Sequence, residues 1–406
     1  MSSPVDDLLS SLPELLRAQL PVFLVTLLCG VLVAVYTRNR AQPPPIPGSG
    51  AASTQPNGKV ELKYTFEPSA IGDVSARLAS HEVKVAKLLV HPIKSCRGIS
   101  VQESRFTRSG LAYDRRWCII DSAQRIITAR ATPKMVLITP RIIEDIHNLQ
   151  NSRLEISFPP DSGCTSLNIP LRPSEEQLAT WDRVEDLSVH SETEIDGFIT
   201  RPSDPSLSPT LVSDTLSNYF NKPVRLAYKG PRLRPASPTL TNPTLDVGVD
   251  YHDGYPLLVA SNESFAAVRT MIERWVADQP DGKVGKDVPG HLKTLKIERF
   301  RPNIIFEGAR VPFAEDMWRN IAIHHGEGQT TGFALVSKCT RCMLPNVCPE
   351  SGGRNMSVPS KPLMQFRTGL DPARLGQACF GCNAVPAQEG IIRVGDVVEV
   401  LEWADV

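Results

Sequence analysis

Val83–Val90 reads VKVAKLLV, apolar and polar residues in alternation that give way to an apolar end. A period of two is the mark of a half-buried strand, and an apolar end marks a strand covered on both faces. Three further β-type runs, Arg116–Asp121, Arg125–Thr128 and Met135–Thr139, follow at intervals of roughly ten residues, a spacing that predicts a meander or barrel. Val224–Tyr228 adds a strand, and Ile391–Glu402 (IIRVGDVVEVLE) predicts two strands around a Gly-Asp turn. Helices are few. Leu211–Phe220 is one. Ser261–Ala277 is the clearest, with Ser261 as N-cap and Phe265, Val268, Ile272, Trp275 and Val276 on one core-facing side. Loops rich in Pro, Gly or polar residues are predicted at Thr200–Pro209, Lys229–Pro243 and Asp278–Gly290. The fold class that emerges is mainly β with some α.

Composition narrows the function. The 406 residues carry 44 Lys plus Arg against 44 Asp plus Glu, a zero net charge that argues against a bulk nucleic-acid binder. Hydrophobic residues make up 41%, enough for a core. The 35 prolines, about twice the usual share, disfavour a helical bundle. Nine cysteines in a chain this long point to metal binding or catalysis rather than to a disulfide scaffold.

Residues 1–18 form an N-terminal segment, 19–37 a transmembrane anchor and 38–80 a Pro/Gly/Ser-rich spacer. The anchor is centred on LPVFLVTLLCGVLVAVY, Leu20–Tyr36, which is uncharged and at ~1.5 Å per residue reaches about 25 Å. Asp6, Asp7 and Glu14 precede it and Arg38 and Arg40 follow, the wrong flanks for a cleaved signal peptide. The basic flank places the C-terminal part in the cytosol.

Four cysteines form two C-x-x-C pairs, Cys339/Cys342 and Cys379/Cys382. Two such pairs can make a tetrathiolate zinc site, although their separation is long for a compact module; the competing reading is buried thiols. Lys338 and Arg341 lie beside the first pair, and cations favour the thiolate. Other basic constellations are Lys94-Ser95, Asp114-Arg115-Arg116 and Arg301-Pro302-Asn303. Each has a plainer reading, as solvated surface charge or as a turn.

HPIKSCRG (His91–Gly98), GLAYDRRWCIID (Gly110–Asp121), TARATPKMVLI (Thr128–Ile138), YHDGYPLLVASNES (Tyr251–Ser264), RFRPNIIF (Arg299–Phe306) and CTRCMLPNVCPESG (Cys339–Gly352) occur in this order. Together they resemble the MOSC-domain proteins, specifically the mitochondrial amidoxime-reducing component family, from about Val83 to Glu402. The resemblance implies an N-terminal MOSC-type β-barrel domain, at 81–199, and a β-barrel-like MOSC domain, at 210–404, with a molybdenum-molybdopterin cofactor in the cleft between them. It implies Cys342 as the catalytic residue and molybdenum ligand. Lys94, Ser95, Arg115, Arg301, Asn303, Thr340 and Arg341 would bind the cofactor, roles suited to their charges and hydrogen-bonding groups.

The activity so implied is reduction of amidoximes, hydroxylamines and N-oxides, with electrons from cytochrome b5 reductase through cytochrome b5, at the mitochondrial outer membrane. The alternative is a cofactor carrier or sulfur-handling MOSC protein without N-reductase activity. No nucleic acid is expected as a partner. His252, Asp253 and the loop after Cys342 are candidates for the substrate pocket. The chain departs from the family where V-D-P-[DE]-[ST]-G becomes Val347-Cys348-Pro349-Glu350-Ser351-Gly352, a thiol in place of a carboxylate.

Overall fold

A computed structural model describes residues 71–79, 82–189, 192–279 and 288–404. The anchor expected at 19–37 and most of the spacer lie outside the described residues. Among the described residues no helix is long and apolar enough to cross a membrane. Helix Ile71–Ala79, within the stretch read as spacer, seats Val74 in the core.

Seven strands close a barrel: β1 (Val83–Val90), β2 (Leu257–Ser261), β3 (Ile304–Glu307), β4 (Trp318–His324), β5 (Thr330–Thr340), β6 (Cys379–Pro386) and β7 (Val397–Trp403). Their order is β3-β2-β6-β5-β4-β7-β1, and β1 returns to β3 with Val85 opposite Phe306. Closure leaves no edge of this ring unpaired. Only the β2–β3 pair of the ring is parallel, and parallel neighbours need a crossover. Helix Asn262–Ala277 supplies it, capped as expected by Ser261, whose side chain accepts from the backbone of Ser264.

The period of two is visible in the packing. Leu88, Ile304 and Phe306 join Val259, Ile321, Ile323, Phe333 and Leu335 in one core cluster. Their neighbours Leu89 and Ile305 face the other way, onto Val268, Met271 and Ile272 of the crossover helix. Mainly β architecture with a closed barrel is thus the structure's answer to the alternation in the sequence.

A second region surrounds Trp117, Ile119, Ile138, Leu154, Ile169, Leu216 and Leu226. Its four-stranded sheet runs Trp117–Asp121, Val224–Lys229, Glu192–Ile199, Arg183–Val189, and its three-stranded sheet Thr139–Ile143, Arg153–Ser157, Leu167–Pro170. The two regions interleave. β1 comes from the N-terminal part yet closes the barrel, whereas Leu211–Phe220 and Val224–Lys229 pack with the earlier strands. Two strand expectations fail. Arg125–Thr128 makes only isolated bridges, Ile120 to Ile126 and Arg125 to Ser188. Met135–Thr139 is largely a 3-10 turn, Pro133–Leu137, because Pro133 fixes φ and lacks a donor, which suits the first position of a helical turn.

Candidate functional site

The loop after β1 and the segment before Trp117 are tied backbone to backbone. Lys94 N donates to Trp117 O at 2.8 Å, and Arg115 N to His91 O at 2.8 Å. This sets Lys94 and Arg115 side by side. Ser95, Arg115 and Arg301 all adopt left-handed conformations, with φ of 69°, 53° and 59°. Such values are uncommon for residues with a Cβ and cluster where a site over-determines the backbone.

Asp114 is the hub. Its side chain is fully buried, accepts from His91 N at 2.6 Å and His252 Nε2 at 3.1 Å, and takes a further short contact from Arg115 Nη1. Burial alone would raise its pKa, but Arg115, His252 and His91 outweigh burial and hold it well below the ordinary carboxylate value. His91 is pushed down to about 3 by burial and then by Arg301, so it is neutral at pH 7. His252 is shifted down for the same first reason, burial. His252, expected near substrate, is instead buried behind Asp114.

Lys94 donates to Tyr251 O at 2.7 Å and to the exposed Asp253 Oδ1 at 2.6 Å; its own burial lowers its pKa. Arg301 donates through Nη1 to Cys96 O at 2.6 Å. Burial, then the nearby Arg115, brings it down to about 10. Its Nη2 is buried with no hydrogen-bond partner. Arg341 reaches the same neighbourhood from the end of β5. Its Nη2 donates to Phe300 O at 2.6 Å and its Nη1 to Cys339 Sγ at 3.0 Å, while its Nε is buried without a partner. Thr340 Oγ1 accepts from Arg374 Nη1 at 3.1 Å, and Cys342 is exposed.

Asn303 behaves differently. Its Oδ1 accepts from Leu258 N at 3.1 Å and from Arg115 Nη1 at 3.3 Å, and its Nδ2 donates to Leu89 O at 3.2 Å. The side chain latches β1 to β2 and steadies Arg115. The second cysteine pair also stands apart. Burial pushes Cys379 up to about 12 and Cys382 well above the usual thiol value, and Cys382 Sγ donates to Glu315 O at 3.3 Å. Among the described residues no group of His, Cys, Asp and Glu could hold a metal ion, so the tetrathiolate zinc reading fails.

The site thus joins Lys94, Arg115 and Arg301, faced by Asp114 and Asp253, to Arg341 and an exposed cysteine. Buried donors without acceptors, on Arg301 and Arg341, call for an anionic, oxygen-rich occupant. A phosphate-bearing pterin beside a thiol-ligated metal fits that donor set. Sequence reasoning passed over Asp114 as a hub and Arg374 as a partner of Thr340; an acid directly before two arginines in an apolar-flanked run was the available signal.

Comparisons with known proteins identify the two domains. The family model of the MOSC N-terminal beta barrel domain matches residues 82–202, and that of the MOSC domain matches residues 246–399. Mitochondrial amidoxime-reducing component 1 of Mus musculus is 29% identical over 330 residues, 78% of this chain and 82% of that protein. The Homo sapiens protein of that name is 29% identical over 337 residues, 80% of this chain and 85% of its own length. Mitochondrial amidoxime reducing component 2 of Homo sapiens is 26% identical over 325 residues, covering 77% and 82%.

Proposed function

This chain is a MOSC-domain protein, and from that premise we propose that it is a molybdenum-cofactor oxidoreductase that reduces N-hydroxylated compounds. The observation that carries the reading is the buried cation cluster with unsatisfied donors beside an exposed cysteine. Arg115 and Arg301 would bind the cofactor's phosphate, Lys94 would add a compact charge, and Arg341 and Thr340 would hold the pterin near Cys342. Cys342 would offer its thiolate to molybdenum. When bound, the cofactor supplies the two-electron chemistry that cleaves N–O. Asp114 orients Arg115 by direct contact, and Asn303 holds it from the other side. Burial keeps His91 and His252 uncharged, so they add no positive charge to the cluster.

The likeness to amidoxime-reducing components supports small-molecule substrates and an electron-transfer system; N-hydroxylated compounds, and cytochrome b5 with its reductase, are the substrate class and electron donors proposed here. It also supports a mitochondrial location, with the 19–37 segment holding the chain at the outer membrane and raising the effective concentration of membrane-bound donors.

The test is to purify the full chain from a host that makes the cofactor and to quantify molybdenum and pterin. About one molybdenum per chain is expected, lost in Cys342→Ala, together with reduction of benzamidoxime when cytochrome b5, its reductase and NADH are added. Absence of both molybdenum and pterin overturns the reading. Molybdenum without N-reduction identifies a cofactor carrier instead.

A further inference from the structure

Cys348 sits in a tight turn. Its N donates to Gly353 O at 2.8 Å, and its O accepts from Gly352 N at 2.8 Å. The side chain belongs to none of the apolar core clusters among the described residues. Sγ donates to Glu350 Oε2 at 3.2 Å and lies 3.5 Å from Thr294 Oγ1. Thr294 Oγ1 accepts from Arg299 Nη2 at 2.6 Å, and its hydroxyl hydrogen, now toward Gly290 O at 2.9 Å, is free to turn to the sulfur. Arg299 is 4% exposed, lies against Cys348, and has an Nε with no hydrogen-bond partner.

These four residues divide the parts a reactive thiol needs. Glu350 is a base in contact with the S–H, its side chain 42% exposed, so the proton has a route out. Arg299 and Thr294 stand on the side where negative charge develops on sulfur. Burial pushes the thiol up, yet hydrogen bonds from Ser351, Thr294 and the turn backbone outweigh it and hold Cys348 below the usual value. Cys96 and Cys118, each 0% exposed, are more deeply buried, and that burial pushes them up to about 12.

We propose that Cys348, with Glu350 as base and Thr294 and Arg299 as charge-stabilising groups, is a site of oxidation by hydrogen peroxide. Glu350 takes the proton from Sγ. The sulfur attacks one peroxide oxygen and forms an S–O bond as the O–O bond breaks. The departing hydroxide takes the proton back from Glu350 and leaves as water. Sulfur is oxidised by two electrons to sulfenic acid, and the peroxide is reduced by two. The Arg299 guanidinium, which lies against Cys348, would donate to the new sulfenic oxygen. Cys348 itself is 5% exposed beneath Glu350, which admits an oxidant as small as peroxide.

The experiment treats the full purified chain with hydrogen peroxide, traps sulfenic acid with dimedone and quantifies each cysteine peptide by mass spectrometry. Cys348 should label at least about tenfold faster than Cys96 and Cys118. Glu350→Gln, a surface change, and Thr294→Val should each slow labelling by about fivefold or more, with an unchanged melting temperature for Glu350→Gln. Cys348 labelling no faster than Cys96, or unaffected by Glu350→Gln, overturns the proposal. Neither readout depends on bound cofactor, so failure here leaves the oxidoreductase reading intact.

Discussion

Two buried cation sites in this molecule differ in what they leave unsatisfied. Lys229 and Asp196 are 0% and 1% exposed, and Lys229 Nζ donates to Asp196 Oδ1 at 2.7 Å, to Gly230 O at 3.0 Å and to Arg232 O. An ammonium has three donors, so this one is saturated. Nor is there space for a ligand: a Cβ at Gly230 would lie 2.4 Å from Asp196, and one at Gly197 2.4 Å from Tyr251 Oη. At the other site Lys94, Arg115 and Arg301 face Asp114 and Asp253, and Arg301 Nη2 is left over. Burial of charge therefore does not distinguish structure from function here. The balance of donors against acceptors does.

Breaking each site separates the two roles. Lys229→Met strands Asp196 in the interior and should cost about 3–5 kcal/mol, the usual range for removing one partner of a buried pair. Urea denaturation of the apo chain measures it; a cost below about 1 kcal/mol would mean that the pair is not the anchor of its sheet. Next in size comes Arg301→Met. It removes a cation already disfavoured by burial and loses one neutral acceptor's bond, so apo stability should change by about 1 kcal/mol or less. Cofactor retention should instead fall by about a hundredfold, the value of a charge-assisted hydrogen bond to phosphate. Retention of molybdenum and pterin in Arg301→Met at the parent level would remove Arg301 from the site.

How much of this was legible in the residues depends on the range of the interaction. β1 was readable because its alternation is local, and the crossover helix because Ser261 and its apolar stripe are local. That β1 closes on β3 was not, since nothing in VKVAKLLV specifies the partner Ile304–Glu307. Met135–Thr139 misled because an apolar run alone does not separate a strand from a buried turn, and Pro133 decided between them. At the site, charges were visible and geometry was not. Lys94, Arg115, Arg301 and Arg341 were named from motifs that resemble a family. The left-handed backbone of Ser95, Arg115 and Arg301 carries no glycine to announce it. Asn303 reads as a ligand in the motif, and what the motif does not show is that its Oδ1 and one Nδ2 hydrogen are engaged by Leu258, Arg115 and Leu89, contacts from three distant segments.

The smallest effect sharpens the comparison through pH, because histidines face only one of the two sites. His91 is pushed from 6.5 to about 3 by burial and Arg301. As pH falls below about 6.5, the unfolded chain gains a proton that the folded chain refuses. Stability is therefore full above about pH 6.5 and declines toward pH 3, by about 1.4 kcal/mol per unit for one such histidine. His252, shifted the same way, steepens the decline. Asp114 works in a lower window: with its folded value depressed, its contribution is intact above about pH 4 and is lost only below it. Between about pH 6.5 and 4.5 the histidines lower stability as pH falls, against the opposite contribution of the buried Glu315, whose pKa burial raises. His91→Gln should flatten the decline, while Lys229→Met should cost most at the upper end of this range and less at the lower end, where the stranded Asp196 can take up a proton. Urea midpoints of the three chains at about pH 6.5, 5.5 and 4.5 decide it. An undiminished slope in His91→Gln would mean that His91 is not held neutral beside Arg301, and the charge imbalance assigned to that site would have to be redrawn.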